Sequence, residues 1–397
     1  MSKKIYDLCI VGGGGAGLSA AIAAKRKGIS VLILERADRV GKKILATGNG
    51  RCNITNSFIT PENYHGDRNF AMSVLGQVGR DDVISFLESC GIILTEEESG
   101  KMYPQSLQAT SVLDLLREEI KRLEIEIKTS FFVKDIKKEN GIFSIFGDGN
   151  VLAKSVLLCG GGYAAPMFGS DGNLNALAKK LGHKETPVFP ALVQLKTENP
   201  LKALKGVKHF CTAHLYIDGK KADSRYGEVL FTEYGLSGPP IFNLSREASR
   251  AVANGIKAEI SLEILPEDFK TLFEMLLKRQ KDLPHLGKEN FLNSIVNKRI
   301  GFEITKKCSS IKEMASTLKN WRFRIVGTMG FKNAQVTAGG ISCGEVCEKT
   351  MMSKKIKGLY FAGEMLDVDG DCGGYNLQFA LSSGILAGMS AADERNG

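Results

Sequence analysis

The stretch Tyr6–Glu35, YDLCIVGGGGAGLSAAIAAKRKGISVLILE, constrains this chain more than any other. An apolar run ends at Ile10 and Val11, a glycine turn follows, Ala16–Ala24 is rich in small helix-forming residues, and Val31–Leu34 is a second apolar run closing on Glu35. Gly12, Gly14 and Gly17 satisfy GxGxxG, and each has a physical task. The first turns the chain sharply, the second lets backbone approach a pyrophosphate, and the third brings helix and strand close. The N–H groups around Gly15 and Ala16 then open a helix and suit negative charge. Glu35 lies about 20 residues on, where a carboxylate can accept from ribose hydroxyls. A glycine turn before any helix can meet the pattern by chance; the strands on both sides make it specific here. A dinucleotide is expected on an α/β, Rossmann-like sheet.

A length of 397 residues exceeds one ordinary core and implies two or three domains. No apolar run approaches the roughly 18 residues of a membrane span, so no membrane partner and a cytoplasmic location are expected. Nine cysteines are scattered without a CxxC pair. Reduced thiols follow, and a disulfide reductase is disfavoured. The five histidines form no metal spacing, so no metal is expected. The net charge of +9 is concentrated between Gln194 and Lys332, where 24 Lys and Arg face 15 Asp and Glu. An anionic substrate and a nucleic-acid footprint are possible readings. A solvated lysine-rich surface is preferred, with nucleic acid disfavoured as a partner.

Several further stretches invite a cofactor. Arg36–Asn56 is polar, glycine-punctuated and short of helical periodicity, and a connection of that length is usually functional. Gly48 and Gly50 flank Asn49 and permit close backbone approach, while Lys42, Thr47, Arg51, Cys52 and Asn53 surround them with polar groups. Asp67–Cys90 reads as one helix, and a second begins near Ala109 or Thr110, after a turn that leaves Tyr103 as a pocket candidate beside Arg51 and Tyr375. From Ile125 the pattern alternates as a three-stranded meander, with hairpin signals at Asn140-Gly141 and Asp148-Gly149. Its last strand runs into Gly160, Gly161 and Gly162. Gly169–Leu181 reads as a helix. Near the other end, IKGLYFAGE closes a strand on Gly363 and Glu364, and DGDCGGYNLQFALSSG opens a small-residue helix at Gly373 and Gly374. Backbone donors over Tyr375, Asn376, Leu377 and Gln378 would favour negative charge on the pyrimidine end of a reduced flavin. Residues 1–191 and 337–397 are therefore assigned to an FAD-binding domain, 192–265 and 323–336 to an inserted β-domain, and 266–322 to a helical domain. Within the helical segment, PEDFKTLFEMLLKRQ, ENFLNSIVNKR and IKEMASTLKNW all read as helices.

Four segments, ERADRVGKKILATGNGRCNITN, GEVLFTEYGLSGPPIF, VTAGG and KKIKGLYFAGEMLDVDGDCGGYNLQFALSSG, resemble the HI0933-like bacterial flavoproteins, a family that includes an aminoacetone oxidase and a bile-acid reductase. The resemblance runs through nearly the whole chain. It implies FAD, three domains and oxidoreductase activity. Carried over position by position, it implies FAD contacts at Ala16, Glu35, Arg36, Gly48–Asn53, Glu364 and Gly374–Gln378, with Val133 at the adenine end. Cys159 departs from the Ala-Thr-like pair that often precedes the glycines.

The expected activity is hydride transfer between a small organic substrate, or NAD(P)H, and flavin N5. No second strand, GxGxxG and helix lies between Leu192 and Val336, so NAD(P)H is expected only as a transient co-substrate. An oxidase of amine-type substrates and an RNA-binding or RNA-modifying flavoprotein are the alternatives. The residues do not name a catalytic acid or base, a substrate or an oligomeric state.

Overall fold

A computed structural model describes residues 4–97 and 99–396, which form two compact units, Met1–Val188 with Val336–Gly397, and Phe189–Gln335.

The first unit is built on a seven-stranded sheet. Ile5–Val11 lies between Val31–Leu34 and Gly149–Leu158, all parallel, with Glu126–Lys128 beyond Val31–Leu34 and Leu359–Phe361 beyond Gly149–Leu158. The near-continuous apolar runs are explained by burial: Leu8, Ile10, Leu32, Ile33, Leu157 and Phe361 have no exposed surface. Antiparallel hairpins join Asp135–Glu139, Ile142–Gly147 and the first half of Gly149–Leu158. The meander is therefore also the crossover, since its last strand continues into the parallel sheet. Asn140 (φ 50°) and Gly141 (φ 80°) make the first turn left-handed at both positions, as Asn-Gly favours. The stretch from Ile125 is not one strand. Glu126–Lys128 joins the parallel edge, Ser130 takes φ 52°, and pairing resumes only at Asp135.

Two other elements depart from expectation. Asp67–Cys90 is two helices, Arg68–Leu75 and Arg80–Glu88, because glycines at 76 and 79 interrupt the run and the Gly79 N–H donates to Asp82 Oδ2 at 2.8 Å. Arg36–Asn56 also has structure of its own: a short helix Lys42–Ala46, a 3₁₀ turn Thr47–Gly50 and a strand Thr55–Asn56.

Small residues bring the first helix, Gly15–Arg26, against the last, Tyr375–Asn396. A Cβ on Gly384 would fall 2.3 Å from Ala16 O, and one on Gly388 would fall 2.2 Å from Ala20 O. The two backbones touch, so only glycine fits.

In the second unit six antiparallel strands close a barrel in the order Leu195–Thr197, Gly235–Ser237, Lys220–Phe231, Lys208–Ile217, Ala258–Glu263 and Trp321–Thr328. Alternation sets its interior: Trp321, Phe323 and Ile325 point in, while Arg322, Arg324 and Val326 point out. Phe231, Trp321 and Phe323 form an aromatic group, with the last two rings 5.3 Å apart. Helix Pro239–Ala253 packs on the barrel; its apolar spacing lies inside GPPIFNLSREASRAVA, and Pro239 at the first turn suits a helix start. Helices Phe269–Asp282, Lys298–Lys307 and Ile311–Lys319 share one apolar cluster with the strands. Of the three helical stretches read from sequence, ENFLNSIVNKR is mostly turns, and its helix starts only at Lys298, capped by Asn297.

Among the described residues no helix is long and apolar enough to cross a membrane, and no group of His, Cys, Asp and Glu is placed to hold a metal. All nine cysteines are free.

Candidate functional site

The glycine turn sits at the carboxyl ends of the parallel strands, where open α/β sheets bind ligands. Its glycines do different work. Gly12 takes φ 117°, and a Cβ there would lie 2.5 Å from Cys159 O; on Gly17 it would lie 1.9 Å from Gly12 O. Those two residues close the fold. Gly14, by contrast, has φ −82°, open to any residue, and a Cβ on it meets nothing within 4 Å. It caps the first helix without a side-chain hydrogen bond, so its open space faces a helix N-terminus suited to an anion.

Glu35 supports this turn from the neighbouring strand. Its Oε2 accepts from Gly13 N at 2.8 Å and its Oε1 from Ala37 N at 2.7 Å. Arg36 extends beside it, paired with Asp171 and lying over the Phe132 ring at 5.2 Å. Val133 is buried next in the chain. Gly161 (φ 77°) comes close to Ser170, whose buried Oγ has no partner. This end holds the expected Gly14, Gly15, Ala16, Glu35, Arg36, Val133 and Gly161, with Ser170 and Asp171 added by the fold.

A second group forms around Glu364. Lys43 Nζ reaches Glu364 Oε2 at 2.5 Å and Ala164 O at 3.3 Å, while Glu364 Oε1 accepts from Thr337 N at 3.1 Å. Thr337 Oγ1 in turn accepts from Tyr163 N and Ala164 N. Gly363 (φ 71°) packs on Ala16 and donates to Ser383 Oγ. Lys42, expected among the donors, is instead paired with Asp38 one turn back. The Lys-Lys pair held the signal, but sequence did not say which lysine faces inward. A threonine in the apolar run of VTAGG was the visible trace of Thr337.

The third group joins residues 47–53 to the start of the last helix. Gly48, Asn49 and Gly50 have φ of 57°, 55° and 83°, and Cys52 has 62°. Asn49 and Cys52 carry side chains in a region that favours glycine, so this loop holds strain. Thr47 Oγ1 donates to Ile44 O. Gly374 (φ 99°) lies so close to Thr55 that a Cβ would meet its carbonyl at 2.4 Å. The Asn53 amide, oriented to satisfy its surroundings, accepts from Gly374 N and donates to Thr55 O and Met102 O. Asn56 donates to Gly373 O. Asn376 is spent on both backbone groups of Gly370, and buried Tyr375 donates to Phe58 O. Leu377 reaches back to Gly15. Gln378 has no exposed surface; its Nε2 donates to Ser382, and its Oε1 is a buried acceptor without a partner.

Arg51 is not free to roam. Its guanidinium donates to Glu97 Oε1 at 2.7 Å and to Tyr103 OH at 3.3 Å, and lies 4.5 Å from the Tyr103 ring centre. Burial raises the Tyr103 hydroxyl and the Cys372 thiol above their usual ranges and pushes Cys52 up to about 11. These thiols stay protonated, so no thiolate nucleophile is poised here.

The geometry fits a dinucleotide carrying a flavin. An uncrowded Gly14 cradle at a helix N-terminus and the Glu35 carboxylate beside it are what the dinucleotide would use.

Residues 6–390 match the HI0933-like protein Rossmann domain family. A 3-dehydro-bile acid delta(4,6)-reductase from Clostridium scindens is 38% identical over 97% of this chain and 98% of its own. A ribosomal RNA dihydrouridine synthase from Escherichia coli is 28% identical over 95% of this chain and 96% of its own. A solved 3-ketosteroid delta1-dehydrogenase from Sterolibacterium denitrificans has a TM-score of 0.55 at 12% identity, covering 98% of this chain and 100% of that one; the likeness is one of fold.

Proposed function

The chain belongs to the HI0933-like family of FAD-dependent oxidoreductases, and from that premise we propose that it reduces a carbon–carbon double bond conjugated to a carbonyl, drawing electrons from NAD(P)H. One observation carries this reading. The Clostridium scindens and Escherichia coli relatives are named for a bile acid and for ribosomal RNA, very different molecules, yet each name describes saturation of a ring double bond polarised by a carbonyl.

FAD, when bound, supplies the two-electron hydride chemistry. The chain's own residues hold and orient it. We assign the adenosine and pyrophosphate half to Gly12, Gly14, Gly15, Ala16, Gly17, Glu35, Arg36, Val133 and Gly161. Lys43, Gly363 and Glu364 take the middle, and Thr47–Asn53 with Gly374–Gln378 take the ring. The backbone N–H groups that open the last helix favour the extra negative charge of the reduced state. Over a full turnover one hydride from NAD(P)H and one proton from solvent end on the two alkene carbons, and NAD(P)⁺ departs. The second unit contains no GxGxxG strand and helix, so NAD(P)H has no dinucleotide turn of its own there.

Anaerobic mixing of the yellow protein with NADPH or NADH tests this. The flavin absorbance should bleach and then return on adding an α,β-unsaturated ketone, but not its saturated analogue. Bleaching by an amine alone, with return only in oxygen, would replace the reductase reading by an oxidase.

A further inference from the structure

We propose that Arg51 is the catalytic residue that receives the substrate's carbonyl, its guanidinium donating to the oxygen on which negative charge gathers when hydride arrives, with Glu97 and Tyr103 positioning it. The proposal deepens the reading above and rests on it for the reaction and for the place of the ring. The strained backbone of Thr47–Asn53 is left to the ring, and the Arg51 side chain to the substrate.

Arg51 leaves the turn Thr47–Gly50 and is gripped at once. Its Nη1 donates to Glu97 Oε1 at 2.7 Å and its Nη2 to Tyr103 OH at 3.3 Å, while its guanidinium carbon lies 4.5 Å from the Tyr103 ring centre. A planar fork held at two points and stacked on a ring has little freedom left to lose. Its support is fixed in turn. Tyr103 is 3% exposed, and a Cβ on Gly48 would lie 3.2 Å from Tyr103 Cε1. The carbonyl of Met102, the residue before it, accepts from Ile54 N and from the Asn53 amide, and that same amide accepts from Gly374 N. Strand Lys101–Pro104 thus ties Arg51 to both segments assigned to the ring, Thr47–Asn53 and Gly374–Gln378.

The fork has donors to spare. It carries more N–H groups than Glu97 and Tyr103 take, and the side chain is 41% exposed. Lys42 and Lys43 are engaged elsewhere, on Asp38 and Glu364. Glu97 offsets the charge of Arg51, so the pair draws no polyanion. What remains is a set of aimed N–H donors, which suits one neutral carbonyl. In the reaction the hydride drawn from NAD(P)H bonds to the β-carbon, the alkene π pair shifts toward the carbonyl carbon, and the carbonyl π pair moves onto oxygen as an enolate. Arg51 stabilises that oxygen. A solvent proton then bonds to the α-carbon and the carbonyl is restored. Donors set in place beforehand need no reorganisation when the charge appears.

The test separates the two half-reactions of the full flavin-loaded chain. In Arg51→Gln, anaerobic bleaching by NADPH should run at the wild-type rate, while return of the colour with cyclohex-2-enone should slow at least about a hundredfold. Pentafluorophenolate, an unreactive mimic of the enolate, should perturb the visible flavin absorbance and bind the variant at least about tenfold more weakly. Should Arg51→Gln fail to fold, Arg51→Lys keeps the charge but not the fork, and both losses are still expected, at about tenfold each. Flavin lost from a folded variant, equal slowing of both half-reactions, or unchanged phenolate affinity would each overturn the proposal. A wild-type flavin that NADPH does not bleach, or that the enone does not reoxidise, defeats the reductase reading instead, and the phenolate titration tells the two failures apart because it needs no turnover.

Discussion

Lys43 and Glu364, 321 positions apart in sequence, meet at 2.5 Å, and the second carboxylate oxygen of Glu364 takes the Thr337 N–H. A carboxylate held at both oxygens has one orientation. Glu364→Gln keeps the shape and one acceptor but gives up the charge-assisted bond, worth about 1.5–3 kcal/mol. FAD should dissociate at least about tenfold more readily from it, as measured by fluorescence release on dilution. Lys43→Met should act in the same direction. Unchanged release in both would show that this pair does not face the cofactor.

The glycine turn separates binding from folding. Gly14→Val places its side chain in open space at an ordinary φ, so the protein should fold, keep its circular dichroism and emerge colourless. Gly17→Ala drives a methyl to 1.9 Å from Gly12 O and should instead lower thermal stability, by about 2 kcal/mol or more. A yellow Gly14→Val would contradict the cradle.

Glu119 predicts an acid limb. Arg122 and Arg26 both donate to its buried carboxylate, and the hydrogen bond from Arg122 leads in holding it down at about 2. A carboxyl lowered on folding stabilises above its unfolded value, and that contribution disappears as pH falls through the folded one. Stability from this group should be complete above about pH 5 and gone near pH 2. Glu119→Gln should cost about 2 kcal/mol at neutral pH, discounted for the exposure of Arg122, and nothing near pH 2. Denaturant unfolding across that range decides it.

Gly388→Leu tests the helix seam. The side chain cannot enter the space above Ala20 O, so the last helix must shift from the first. A stability loss of about 2 kcal/mol with weakened flavin retention is expected, since Tyr375–Gln378 ride on the same helix. Normal retention would mean that the seam and the site are independent.

The parallel sheet was legible because buried strands leave continuous apolar runs and GxGxxG leaves few alternatives. Elements set by tertiary contact were harder. Helix Pro239–Ala253 lies inside the 192–265 segment expected to form an inserted β-domain, and Asp67–Cys90 reads as continuous because its apolar spacing crosses the break at glycines 76 and 79. Within the site, glycine positions could be read from local chain geometry. Lys43 and Thr337 could not, because each acquires its partners from segments far off in the chain.

The close seam between helices Gly15–Arg26 and Tyr375–Asn396 also has a meaning in time. As the chain is made, the first helix waits with the carbonyls of Ala16 and Ala20 uncovered while the whole of Phe189–Gln335 emerges and closes its own barrel. At ordinary synthesis rates that delay is on the order of ten seconds or more. The glycine turn can fold early, but the ring half of the site proposed at Gly374–Gln378 must wait for the last helix. Flavin loading should therefore be a late, post-barrel event in the life of each molecule.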